Sequence, residues 1–274
     1  MPIPVSAALA DQAQVAAAKT DELRRPGRYL VSAMLAGAFI GVAVVLLLQV
    51  TAPLNAVHSP WTKLVQGLVF GIALTLVVFA GAELSTGNMM TSVHGLVTGR
   101  IRFGPAVGLV VASFVGNLLG SVLFAAVVHH SGVLSAGGSV PLLASLVAAK
   151  AGAPAGAVFL RGVLCNFLVC LAVWMAARTR SDGAKLAVLC WCLLAFVASG
   201  YEHVVANMTI FSLGLFEHVP AAGIATFGRN LLLAGLGNLV GGGLLVGAAY
   251  GVLGRSRRRS PAPAEVAEPE AVAA

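Results

Sequence analysis

Of 274 residues, 58% are hydrophobic and only 10% are charged. Soluble domains carry about 25% charged residues, so this composition excludes an ordinary soluble globular protein and points to the bilayer. The formal net charge of +7 gathers at the chain ends and in short loops without interleaved aromatics, which excludes nucleic acid as a partner and suits a membrane surface.

Residues 1–28 are polar and helix-prone. The stretch "AALADQAQVAAAKTDELRR" lacks the apolar centre of a signal peptide and predicts an interfacial helix on the cytoplasmic side. A spanning helix needs about 20 apolar residues. The first such run is 29–50, and a second, 64–82, breaks off in "GAELSTGNMM" with little apolar sequence left before Gly99. A third covers 105–128, and Lys150 then stands ahead of a fourth, 155–177. The run 186–200 is too short to cross; it ends in "ASGYEHVVANMTIF", which sets Glu202 beside His203, and a second short run, 204–216, follows. The last run, 222–254, is closed by the basic stretch Arg255 to Arg259. Beyond it a Pro/Ala/Glu-rich tail, 255–274, predicts disorder.

These runs predict an all-α integral membrane protein with a transmembrane domain over 29–254 and six spans, the second and fifth broken near mid-membrane. Freed backbone at such breaks is tolerated only inside protein or along an aqueous cavity. Thirteen Lys and Arg fall in segments on the N-terminal side against three, Lys63, Lys150 and Arg229, in the opposite loops, with Arg161 at a span end. By the positive-inside rule both termini are cytoplasmic.

The breaks repeat. "ELSTGNM" from Glu83 lies over "EHVVANM" from Glu202 at a shift of 119, and "FVGNLLG" around Asn117 matches "GLGNLVG" around Asn238. Each half then holds three spans with a broken middle one. Three is odd, so the halves must be an inverted 3+3 repeat, the architecture of a transport site. The matched Glu83 and Glu202 read as partners for freed amides at the breaks. His203 has no such match, because Leu84 stands at its counterpart. Ionisable groups inside a membrane are functional by default, and imidazole titrates near neutral pH, at about 6.5. A weak-acid anion drawn in by Lys150 could take up a proton beside His203 and cross an apolar ring as the neutral acid.

Two rival classes are less well served. Both breaks lack the Asn-Pro-Ala of a neutral-solute channel of aquaporin type, reading "TGNMM" and "VANMT". An enzyme would need an HExxH spacing, a second ligand cluster or a Ser/His pair, so neither catalytic residues, a metal nor a cofactor is expected. The four cysteines, Cys165, Cys170, Cys190 and Cys192, lie in apolar runs without CxxC spacing and read as small hydrophobes.

Together "GAELSTGNMMT", "RGVLCNFLVCLAVWMA", "SGYEHVVANMTIF" and "GNLVGG" resemble the formate/nitrite transporter family over about Gly27 to Arg255, the nitrite branch most closely. The resemblance implies a homopentamer of aquaporin-like protomers in a bacterial inner membrane, passing nitrite, or else formate or hydrosulfide, with protons. It assigns His203 as the central histidine with Thr86 as its hydroxyl partner. Lys150 becomes the vestibule lysine, and Asn166 and Asn238 pore-lining asparagines, with Glu202 beside them. It places an outer constriction at Leu74, Leu84 and Ser85, and an inner one at Phe196 and Val169. Many relatives carry phenylalanine where this chain has Ser85, which predicts a wider outer constriction.

Overall fold

The computed structural model describes residues 1–135 and 138–255; the expected disordered tail, from 256 onward, lies outside the described residues. Among the described residues every regular element is helical. Lipid offers no partner for a backbone amide or carbonyl, and a helix satisfies its own. In chain order the first five helices are α1 Val5–Glu22, α2 Pro26–Ala56, α3 Thr62–Gly81, α4 Ser85–Val97 and α5 Phe103–His130. Five more follow: α6 Ser139–Gly152, α7 Ala155–Ala177, α8 Asp182–Ala198, α9 Val204–Phe216 and α10 Ile224–Gly254.

Among these, α2, α3, α5, α7 and α10 are each long and apolar enough to cross a membrane. With 17 and 13 residues, α8 and α9 are each too short alone. Chain interruptions at 82–84 and 199–203 separate α3 from α4 and α8 from α9, where the sequence reading put them. A glycine with a left-handed backbone marks each, Gly81 at φ 79° just before the first and Gly200 at φ 72° within the second. A side chain disfavours that region, so glycine ends each helix cheaply. These two glycines also lie 119 positions apart, the same shift that relates Glu83 to Glu202.

Small residues let the long helices touch. A Cβ on Gly120 would collide with the Met34 carbonyl, and one on Gly37 with that of Asn117, where α2 meets α5. The α7–α10 contact is built alike, with Gly237 against Phe159 and Gly241 against Val163. Backbone approach of this kind replaces the hydrophobic drive that lipid removes. Outward, α5 presents Val107, Val111, Val115, Leu119, Leu123 and Val127, which are 45% to 60% exposed.

The first helix is packed into this body. Ala8, Leu9, Ala13 and Ala16 are buried, with Leu9 against Gly254 and Ala16 against Gly95. Ile3 and Arg178 hold the end of the chain in place: the Ile3 amide donates to the Arg178 carbonyl at 2.8 Å, and Arg178 Nε returns a bond to the Ile3 carbonyl at 2.9 Å.

Candidate functional site

Each break exposes backbone groups, and an asparagine gathers them. At the first, Asn117 Oδ1 accepts the Ser85 amide at 2.9 Å while its Nδ2 donates to the carbonyls of Glu83 and Ala33, both at 2.8 Å. At the second, Asn238 Oδ1 accepts the Val204 amide at 2.9 Å, and Nδ2 donates to Glu202 at 2.9 Å and Gly162 at 2.8 Å. The two clamps are alike bond for bond. Asn238 is therefore a brace with its amide fully engaged. Asn166 is one too, donating to the carbonyls of Thr86 at 3.1 Å and Asn238 at 2.7 Å. Both are wholly buried, where the resemblance implied pore-lining groups.

The carboxylates do other work than the amide-satisfying one expected of them. Glu202 Oε2 accepts from Lys150 Nζ at 2.8 Å and from Asn207 Nδ2 at 2.6 Å. Glu83 Oε2 accepts from Lys19 Nζ at 2.8 Å and from Asn88 Nδ2 at 3.0 Å. Each set is a lysine, a glutamate and an asparagine, and each lysine stands in the last turn of its helix, α1 or α6. Sequence reasoning missed Lys19. A signal was available, since "AAK" precedes both lysines, in "AAAKT" and "VAAKA".

Where the clamps agree, the side chains that follow differ. Leu84 precedes α4, but His203 precedes α9 and caps it: His203 Nδ1 accepts the Ala206 amide at 3.1 Å. A nitrogen that accepts carries no proton, so in the neutral ring the hydrogen sits on Nε2. Nε2 lies 3.2 Å from Thr86 Oγ1 and donates to it, which leaves the threonine hydroxyl hydrogen for another acceptor. The structure thus brings Thr86 and His203 together across the two breaks. Phe196 stacks on the imidazole with centroids 5.9 Å apart.

A cavity of about 380 Å³ runs from the Lys150 side to His203, walled by Val44, Leu47 and Ile210 and bearing Lys63, Arg161 and Tyr201. Its floor includes Phe196 and Phe70, whose rings meet edge-on at 5.8 Å. Beyond lies a space of about 10 Å³ lined by Leu74, Leu84, Val169 and the same two phenylalanines. That holds about one water, so an ion cannot carry its hydration shell through the apolar space there.

This arrangement differs from the expected constrictions. Phe196, expected with Val169 on the inner side, lines both the Lys150 cavity and the narrow space that holds Val169, together with Phe70, a residue the sequence reading did not single out. Leu74 and Leu84, expected outside, lie deeper, beside Val169. Ser85 lines neither cavity. Its amide is held by Asn117 and its side chain is fully buried, so a small residue there does not widen the passage described. Lys150 does line the cavity, but as an ion pair whose side chain is only 14% exposed.

Comparison with known proteins gives a consistent answer. The family model described as formate/nitrite transporter matches residues 7–252. The nitrite transporter NirC of Salmonella typhimurium is 42% identical over 249 residues, covering 90% of this chain and 91% of the relative. The formate channel FocA of Escherichia coli is 31% identical, with 84% of this chain and 87% of the relative covered. Among solved structures, an "FNT family ion channel" superposes with a TM-score of 0.84 at 39% identity, covering 90% of this chain and 98% of the other. A "pentameric formate channel with formate bound" gives a TM-score of 0.73 at 29% identity, covering 84% and 98%.

Proposed function

The chain belongs to the formate/nitrite transporter family, and from that premise we propose that it carries small monovalent weak-acid anions, nitrite foremost, across a bacterial inner membrane. Support for nitrite is the higher identity to the nitrite transporter, 42% against 31% for the formate channel. The broken pairs α3/α4 and α8/α9 each count as one crossing, so the protomer has six. α1–α5 and α6–α10 form an inverted repeat, both chain ends are cytoplasmic, and five copies assemble.

The observation that carries this reading is the cavity of about 380 Å³ that ends on His203. An anion leaving water for an apolar passage loses hydration worth several kcal/mol or more. Neutralising it by one proton removes most of that cost. The neutral imidazole already has Nε2–H engaged with Thr86, so a second proton must land on Nδ1 and displace the Ala206 amide. An anion arriving beside the ring offsets both changes, as it attracts the imidazolium and accepts hydrogen bonds from the exposed donors. Proton uptake is thereby tied to the presence of the anion. The ring then gives its proton to the anion, recovers the Ala206 bond, and the neutral acid passes Leu74, Leu84 and Val169.

Uptake of nitrite beside formate into proteoliposomes at two pH values tests this, with wild type and His203→Asn. Asparagine keeps an acceptor for the α9 cap but does not titrate. Wild-type nitrite flux should exceed formate flux and rise as pH falls, since protons are then more available to the anion-bound site. The asparagine variant should fold and lose that pH response. An unchanged response would remove His203 from the proton path, and a wild type that passes neither anion would overturn the transport reading.

A further inference from the structure

Three cations line the large cavity, Lys63, Lys150 and Arg161, and one carboxylate, Glu202, lines it with them. That carboxylate is committed to Lys150 at 2.8 Å, with the two side chains 14% and 4% exposed. Seen from the mouth, the pair is a dipole whose field falls off faster than that of a single charge. Lys150 is therefore a poor attractor at distance. The side chains of Lys63 and Arg161 make no ion pair and no hydrogen bond among the described residues, and both residues are exposed on the cavity wall. Arg161 is also registered to the site through its backbone, because its carbonyl accepts the Glu202 amide at 3.2 Å.

We propose that Arg161 and Lys63, rather than Lys150, recruit the anion, and that Arg161 favours planar anions with two oxygens. This rests on the anion-transport reading above. Two uncompensated cations beside apolar walls such as Val44, Phe70 and Ile210 focus positive potential into the cavity and raise the local anion concentration. A guanidinium is charged at every relevant pH, so recruitment stays constant while the histidine step responds to protons. Its planar fork matches the two oxygens of nitrite or a carboxylate, whereas an ammonium offers a point charge with no such preference. Lys150 is left with a holding role, keeping Glu202 and Asn207 in position at the break.

The test is initial nitrite uptake by proteoliposomes at subsaturating concentration, in low and in high salt. Wild type is compared with the double variant Arg161→Gln/Lys63→Gln and with Arg161→Lys. In low salt the double variant should be slower by on the order of tenfold. At about 1 M salt the Debye length shrinks to about 3 Å and the two should converge. That convergence also reports a correctly folded variant. Arg161→Lys should slow nitrite but leave hydrosulfide, which has no second oxygen to grip, close to wild type. A double variant with the wild-type salt response would overturn the recruiting role, and so would one equally slow at every salt concentration. Equal slowing of nitrite and hydrosulfide in Arg161→Lys would overturn the preference for two oxygens. Absence of any anion uptake by wild type is a different result, because it removes the transport reading itself.

Discussion

Glu202 is almost fully buried, and what keeps it there is a lysine from one element and an asparagine from another. Replacing it by glutamine leaves Lys150 charged and nearly enclosed. Breaking a buried pair on one side costs about 3 kcal/mol or more, whereas replacing both partners by neutral groups of similar size costs far less. Glu202→Gln should therefore lower the thermal stability of the detergent-solubilised protein markedly, and adding Lys150→Met should restore most of it. If the double variant is no more stable than the single one, the pair does not act as a unit. This partnership was hidden in the sequence. The two residues lie 52 positions apart, and nothing in the local pattern of either names the other. The burial of His203 at the second break was legible by contrast, because an imidazole with no partner in the matching break stands out on a single line of sequence. Which nitrogen caps α9 is set by the turn at 203–206, and that required coordinates.

Among elements, the broken helices were the most legible feature, since Glu83 and Glu202, Asn88 and Asn207, and Asn117 and Asn238 recur at nearly constant spacing. The reading went astray on what these residues hold. It gave the amides to the glutamates, but the asparagines of α5 and α10 take them, and a distant lysine takes each carboxylate. Such swaps are invisible to spacing, because an amide and a carboxylate both accept hydrogen bonds. Asn117→Leu or Asn238→Leu would leave one amide and two carbonyls without their partner. Each unsatisfied buried group costs about 1–3 kcal/mol, so either change should lower thermal stability strongly. The two losses should also be similar, because the bond sets are similar. A large loss at one site and none at the other would refute the equivalence of the two clamps. The kinship of α1 with α6 rests on the short "AAK" match alone, too little to find without seeing both lysines seated on their glutamates.

For the molecule as a whole, the contacts α2–α5 and α7–α10 are made by backbone meeting backbone at glycine, so tolerance to added atoms is low. Gly120→Leu would push into the Met34 carbonyl and separate α2 from α5. Overpacking of this kind costs about 1–3 kcal/mol or more, and size-exclusion chromatography should show lost monodispersity where the exposed Leu123→Ala does not. Equal behaviour of the two would mean that the close approach is dispensable. The seating of α1 has a consequence for how the protein is made. Lys19 waits for Glu83 and Asn88, and Ile3 waits for Arg178, a residue synthesised 175 positions later. Chain growth therefore delivers the opening helix long before its berth exists. This helix can therefore settle fully only after Arg178 has been made, and a bulky fusion ahead of Ile3 would burden that late docking step rather than the start of biogenesis.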